Sequence, residues 1–316
     1  MQARAEPQLQ PFTAATSSAD LPFVSVIIPV YNDAERLALC LQALEEQSYP
    51  SDRYEVIAVD NGSVESIEPV VRGFPHAIAS FEAAPGSYVA RNRGLGLARG
   101  SVLAFTDSDC IPQRDWLLEG VLKLRETPGC GLVGGRIDIS FADEREPTAV
   151  EFFDSLWGFP QEVYVLKDRC TVTANLIAYR EAFERAGPFD RRLKSGGDRE
   201  WCGRAVASGY EIAYADRSAV SHPARRTLDE LSRKTRRVSG GRFDRLKHRS
   251  RHPIRDQAKE MLWELRPPFR AIGRIWSDAR IRGTKARLSV LGVVMYVRYL
   301  TAWERLRLLC GAESRR

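Results

Sequence analysis

The chain lacks any run of about 18 apolar residues, which a membrane-spanning helix needs. Its longest largely apolar stretch, Leu288 to Val297, is about half that length and ends at Arg298. The opening segment MQARAEPQLQPFTAATSSAD has no apolar core, so no secretory leader is read there and residues 1–22 are expected to be a disordered lead-in. Six cysteines are scattered without a C-x-x-C pair. That spacing excludes a zinc ribbon or a dithiol redox motif and fits a reducing compartment in which cysteines serve as small core residues. Internal repeats and low-complexity tracts are absent. Gly 23, Pro 17 and 28% charged residues leave no room for a collagen-like, disulfide-scaffold or wholly disordered chain.

What remains is ordinary globular material: 316 residues, 44% hydrophobic, enough for about two domains. Val24 to Val30 is a β-branched run that reads as a strand buried on both faces. A helix over Asp33 to Gln47 follows, with Leu37, Leu41 and Leu44 at helical spacing. Tyr54 to Asp60 is a second buried strand, a third lies near His76 to Phe81, a helix runs from Ser87 to Arg99, and Ser101 to Thr106 is a fourth strand. Strands alternating with helices imply βαβ units and a mainly parallel sheet. From Gly129 the rhythm loosens into strand-like GLVGGRIDIS and TVTANLIAYR, and beyond Asp216 the strands are expected to stop.

In open α/β sheets the ligand crevice lies outside the carboxyl ends of the strands. Three strand ends carry polar residues there: Pro29-Val30-Tyr31-Asn32, Asp60-Asn61-Gly62-Ser63 and Asp107-Ser108-Asp109. Asp60 reads either as a turn cap or as an acceptor for a ribose or base edge. Asp107 and Asp109, two residues apart, offer oxygen ligands suited to Mg²⁺ or Mn²⁺, or cap the loop. Arg91 and Asn92 open a helix whose amides and guanidinium suit phosphate or sugar, although neither G-x-x-x-x-G-K-[ST] nor G-x-G-x-x-G is present there; a solvated cationic helix is the alternative. In Gly196-Gly197-Asp198-Arg199-Glu200-Trp201, Asp198 is placed as a general base or a helix N-cap. Gly197 and Trp201 are acceptor-side candidates, Trp201 being otherwise a core residue. His222 is a metal ligand or a structural histidine.

The sequence resembles family 2 glycosyltransferases of the GT-A fold. The resemblance rests on SVIIPVYN, VDNGS, ARNRGLGLARG, FTDSD, TANLIAYREAFERAGPFD and GGDREWCGRA, which stand in family order across residues 23–225. It implies a mainly parallel mixed sheet with a nucleotide-binding half (23–110) and an acceptor half (111–225). It also implies a nucleotide-diphosphate-sugar donor, a divalent cation (Mn²⁺ or Mg²⁺), and transfer to a hydroxyl with inversion. By position, Asp60 resembles the base-recognising residue, Asp107 and Asp109 the metal pair with Asp109 the leading direct ligand, and Asp198 the catalytic base. The family usually carries Glu-Asp where this chain has Gly197-Asp198, so Glu200 is a competing base. The Q-x-x-R-W motif of processive members is missing, which implies single additions. The whole-chain pattern is similar to bacterial exopolysaccharide-type enzymes, such as those of hormogonium polysaccharide biosynthesis, acting on a glycan or lipid-linked acceptor. A nucleotidyltransferase is a competing class, but would carry a basic glycine-rich loop where this chain has PVYND; a catalytically inactive, membrane-docked sugar-binding scaffold is a second alternative.

Charge divides the chain. Residues 1–216 hold 21 Lys+Arg and 32 Asp+Glu, a net of −11, and residues 217–316 hold 26 and 9, a net of +17, summing to +6. The extension 226–316 is therefore expected to be basic and helical. Arg225, Arg226, Arg233 and Arg237 are candidates to face the donor diphosphate. Arginines interleaved with Trp263, Trp276, Tyr296, Tyr299 and Trp303 suit an anionic membrane surface, or pack on the catalytic part. No nucleic-acid module is present, so nucleic acid is not an expected partner. The expected location is the cytoplasm, at the inner face of the cell membrane.

Overall fold

The computed structural model describes residues 20–249 and 252–314; the expected lead-in 1–22 lies outside the described residues up to position 19. The chain runs β1 (Val24–Val30), α1 (Ala34–Glu45), β2 (Tyr54–Asp60), α2 (Glu68–Val71), β3 (Ala77–Phe81), α3 (Ser87–Leu97), β4 (Val102–Thr106) and β5 (Ile111–Pro112). It continues through α4 (Trp116–Glu126), β6 (Cys130–Ser140), α5 (Ala149–Trp157), α6 (Gln161–Leu166), β7 (Asn175–Tyr179), α7 (Arg180–Ala186), α8 (Gly197–Ala207) and β8 (Glu211–Pro223). Four helices close it: α9 (Leu228–Arg249), α10 (Pro253–Glu264), α11 (Phe269–Ser277) and α12 (Thr284–Leu309).

The eight strands form one mixed sheet in the order β3-β2-β1-β4-β7-β6-β8-β5. β3, β2, β1 and β4 are parallel, β7 is antiparallel to both β4 and β6, and β6 is parallel to β8. β2 and β3 are laid out on one side of β1, and the chain then returns to place β4 on the other. The carboxyl ends of β1 and β4 therefore flank a switch point, where such sheets bind ligands. β2 and β4 are buried along their whole length and β1 along nearly all of it, because helices cover both faces. Leu37, Cys40, Leu41 and Leu44 put one stripe of α1 into that core. Gly94 lets α3 lie against β1: a Cβ there would come 2.5 Å from Ile27 Cγ2.

The strands do not stop at Asp216. β8 continues to Pro223, with a register irregularity at Gly135/Arg136 after which Ala219 to Pro223 pair with Arg136 to Ser140. The short β5 pairs with β8 at Val220 and Ser221. This brings His222 to the acidic turn after β4, a proximity that chain position does not suggest. At the seam, buried Asn175 accepts from Trp116 Nε1 at 2.8 Å and donates to the carbonyls of Arg136 and Ser218 at 2.8 and 2.9 Å. Such a satisfied amide specifies one register among the strands.

The basic extension packs on the rest of the protein. Phe152 and Leu156 of α5 share a core with Ile275, Ile281, Val290 and Val294, while Val150 joins Leu231 and Val293. Buried Asp154 of α5 binds Arg225 at 2.7 Å and Lys234 at 3.1 Å, fixing the start of α9. Cys40, Cys110, Cys130, Cys170 and Cys202 are buried free thiols, in line with the core role expected for them, whereas Cys310 is exposed.

Candidate active site

The turn Asp107-Ser108-Asp109 stands at the end of β4 and is held from several sides. The Asp107 carbonyl accepts from Cys110 N at 3.1 Å. Ser108 Oγ donates to Asp33 Oδ2 at 2.8 Å, and Asp33 also binds Arg36 Nε at 2.6 Å. Arg36 extends to 3.9 Å from Asp109. Buried Arg91 of α3 forms an ion pair with Asp107. The two carboxylates are thus oriented by different helices, which keeps them apart in role.

Asp109 faces His222 Nε2 at 3.8 Å. His222 Nδ1 lies 2.8 Å from the Pro223 carbonyl, which only accepts, so Nδ1 is the donor there and Nε2 is the ring nitrogen turned to Asp109. Ligand atoms of Asp109, Cys110 and His222 all lie within 4.8 Å of one another. Burial raises the Asp109 carboxyl above its ordinary range against the opposing pull of His222, and it pushes the Cys110 thiol well up. The thiol therefore stays protonated, a poor ligand for a hard cation. A desolvated carboxylate beside an imidazole nitrogen, with Asp107 two residues away, offers oxygen and nitrogen donors of the types that Mn²⁺ or Mg²⁺ accepts.

From Asp107 a line of contacts leads to Asp198. Arg91 lies over the Tyr88 ring at 5.7 Å, and its Nε is buried without a hydrogen-bond partner. The Tyr88 ring packs against Gly197: a Cβ on Gly197 would come 2.8 Å from Tyr88 Cε2. Gly196 has φ +72 and its Cβ would lie 1.9 Å from Arg245 Nη1, so the Gly-Gly pair is explained twice over. Arg245 donates to the Ser195 carbonyl at 2.7 Å and acts electrostatically on Asp198. The close approach that these glycines permit is thus by Tyr88 and Arg245. Gly197, the acceptor-side candidate, is buried, and the space a side chain would take there is filled by Tyr88. Asp198 occupies the first turn of α8 half-exposed, accepting from Arg199 N at 2.8 Å. Glu200 is gripped at both oxygens by Arg204, at 2.8 and 3.0 Å.

Around β1 and β2 the structure separates open residues from braces. Tyr31 is 65% exposed beside half-buried Pro29. Asn32 adopts φ 50 and accepts from Val64 N, while its own N–H donates to Ser63 Oγ. Asp60 accepts from Ser63 N with one oxygen at 2.8 Å, the turn-cap geometry, and the second oxygen is left for another donor. Asn61 is a brace: it donates to the carbonyls of Glu82 and Ala84 and accepts from Gly86 N. Asn92 is likewise committed, bonded to both N and O of Phe189, and so latches α3 to the chain after α7.

Two further expectations are corrected. Trp201 is 0% exposed, stacked on Phe183 at 4.0 Å with its Nε1 donating to the Gly187 carbonyl, so it is core and does not reach an acceptor. Trp201→Ala is expected to cost about 3–5 kcal/mol of stability. Chemical denaturation reads this loss, and the acceptor KM of the protein still folded stays unchanged. Arg233 is exposed and paired with Asp229 one turn back, on the solvent side of α9. Its neighbour Lys234 points inward, over Phe159 at 4.6 Å, and burial pulls its ammonium down to about 8. Phe159 in turn meets the His222 ring at 4.7 Å. Arg225 and Arg226 are turned to Asp154 and Glu151, and Arg237 lies near enough to Lys234 to repel it. Arg36, Tyr88, Lys234 and Arg245 are contributors that sequence reasoning did not single out, since each is an ordinary helical residue until the fold brings it to the site.

Comparison with known proteins bears on the family and the fold. The family model for Glycosyl transferase family 2 matches residues 25–186, just over half of the chain. Glycosyltransferase AglE of Haloferax volcanii is 40% identical over 231 residues, covering 72% of this chain and 75% of that protein. The pre-mycofactocin glycosyltransferase of Mycobacterium tuberculosis is 31% identical over 220 residues, 67% of this chain and 45% of its own length. Among solved structures, the mannosyltransferase PcManGT of Pyrobaculum calidifontis, in complex with GDP-Man and Mn²⁺, aligns with a TM-score of 0.55 at 20% identity over 97% of this chain and 80% of its own. That likeness shows the fold, the GT-A arrangement of a mixed sheet flanked by helices. Family match and relatives together establish that this chain belongs to glycosyl transferase family 2 and is a glycosyltransferase.

Proposed function

We propose that the protein is a divalent-cation-dependent, inverting and non-processive enzyme. It transfers a sugar from a nucleotide-diphosphate sugar to a hydroxyl of a polysaccharide or lipid-linked glycan precursor, of the exopolysaccharide type. The observation that carries the reading is the contact line from Asp109 and Asp107 through Arg91, Tyr88 and Gly197 to Asp198. It joins a carboxylate–imidazole pole to the half-exposed carboxylate of Asp198 through side chains in contact. The GDP-Man and Mn²⁺ held by the structural neighbour support the donor and metal classes.

In this reading Asp107, Asp109 and His222 would hold the cation, which would supply positive charge against the charge developing on the departing diphosphate. Arg91, with its unpartnered Nε, and Arg36 add fixed positive charge at the same place. Asp60 and Tyr31 meet the nucleoside, with Asn32 and Asn61 shaping their loops. Asp198 accepts the acceptor hydroxyl proton as the oxygen attacks the anomeric carbon. Glu200, locked to Arg204, is not free for that role, nor to form a covalent glycosyl intermediate, and a lone carboxylate favours one displacement with inversion.

A thermal-shift panel of nucleoside diphosphates and nucleotide sugars, with and without Mn²⁺, tests the reading. A cognate nucleotide at a hundred times its Kd adds about 2.7 kcal/mol and raises Tm by several degrees. A flat response to every nucleotide, with metal present, sinks the proposal.

A further inference from the structure

Helix α12 is apolar on two faces. Val290, Val293, Val294, Leu300, Ala302 and Leu308 are buried against α5, α9 and α10. On the other side, Leu288, Met295, Tyr299, Trp303 and Leu306 are between 43 and 64% exposed, with exposed Gly292 among them. Positions 288, 292, 295, 299, 303 and 306 are spaced by three or four, so they form one stripe along a helix about 39 Å long. Two exposed indoles border it. Arg287 reaches over Trp276 of α11 at 5.9 Å beside Leu288, and Arg298 over Trp263 of α10 at 5.3 Å beside Tyr299. Arg298 also donates to the carbonyls of Trp263 and Arg266, which fixes the end of α10 against the stripe.

The charge around this face has one sign. Residues 253–309 contain 12 Lys+Arg and 5 Asp+Glu. All five acids are buried or half-buried and paired: Asp256 with Arg255, Glu260 with Arg305 and Arg242, Glu264 with Arg298, Asp278 with Arg280, and Glu304 with Arg307. Arg255, Lys259, Arg266, Arg270, Arg274, Arg282 and Lys285 are exposed. Among the described residues no helix is long and apolar enough to cross a membrane, and the inward face of α12 is already occupied by protein. A second copy of the chain would bring two basic surfaces together.

We propose that the outward face of α12, edged by Trp263 and Trp276, seats on an anionic lipid bilayer with the helix lying in the plane of the interface. An apolar stripe enters the boundary between acyl chains and headgroups, indoles and Tyr299 sit at headgroup level, and the surrounding arginines and lysines meet anionic lipid. The seating orients the protein. Arg274 and Arg280, Leu156 and Phe159 line a cavity of about 290 Å³ between α5, β6 and α11, and Phe159 touches the His222 ring. Helix α11, which carries Trp276, is thereby one wall of that cavity. The docking itself does not rest on the reaction proposed above, and its test uses neither donor nor acceptor.

The full chain is sedimented with phosphatidylcholine vesicles, and with the same vesicles containing about one third phosphatidylglycerol, over a salt series. Binding is expected to the anionic vesicles only, to fall as salt rises, and to weaken about tenfold or more in the triple variant Met295→Ser, Tyr299→Ser, Trp303→Ser, with Tm kept. Should that variant fail to fold, quenching of wild-type tryptophan fluorescence by bromine-labelled lipid reads the same contact, and quenching is expected. Absence of binding to anionic vesicles, binding that the folded triple variant retains in full, absent quenching, or a dimer that the variant converts to monomer would each overturn the proposal.

Discussion

Asp198→Asn is expected to reduce sugar transfer by about 10²–10⁴-fold while leaving donor affinity within about twofold. The amide keeps the size and the hydrogen bond from Arg199 N but cannot take a proton from the acceptor hydroxyl. Gly196 and Gly197 hold the loop against Arg245 and Tyr88 independently of the carboxylate, so the local backbone is preserved. Glu200→Gln is the matched control. It loses one surface ion pair with Arg204, worth at most about 1 kcal/mol, and retains most of the turnover. Rates from single-substrate transfer assays, paired with nucleotide titrations, separate the two. Normal turnover in Asp198→Asn with lost donor binding would transfer the base role elsewhere.

The second large effect is at Asp109. Asp109→Asn is expected to abolish Mn²⁺-dependent stabilisation by nucleoside diphosphate and to lower transfer by about 10²–10³-fold. Without metal the same variant is expected to be no less stable than the wild type at neutral pH. Burial raises the Asp109 carboxyl above its unfolded-state range, so ionisation at neutral pH opposes folding, and that opposition fades as pH falls through the raised value. A neutral amide removes it at every pH. Thermal melts of both proteins, with and without Mn²⁺ and nucleotide, test both halves. A metal response surviving in the variant would remove Asp109 from the ligand set, and a large loss of apo stability would show that the carboxylate is structural.

Which residues reach the site was only partly legible in the order of residues. Runs such as VSVIIPV and YEVIAVD are β-branched and uninterrupted, and β1 and β2 form where they predict, because a strand covered on both faces needs no alternation. The acidic turn after β4 was legible for a similar reason: carboxylates directly after a buried strand have nowhere to go but the crevice. Asparagines were less legible. Asn61 and Asn92 have the chemistry of ligand contacts, yet their hydrogen bonds are spent on Glu82, Ala84, Gly86 and Phe189. Trp201 sits three residues from Asp198, but one helical turn carries it from the site's rim into the aromatic core of Phe183 and Phe189.

Taken alone, the order of residues determined the βαβ half of the sheet, the position of the acidic pair directly after β4, the place of Asp198 at the start of a helix, and the split between an acidic first part and a basic last part. Each of these depends on neighbours along the chain: strand periodicity, turn residues after a strand, local charge. The tertiary structure alone decided what depends on elements far apart in sequence. It set His222 against Asp109 by running β8 past β5, turned Lys234 inward and Arg233 outward through the rotation of α9, and left one apolar face of α12 exposed among the described residues. A helix that is apolar on two faces carries no periodic mark of which one is covered, so only the packing of α5, α9 and α10 reveals the face that is not.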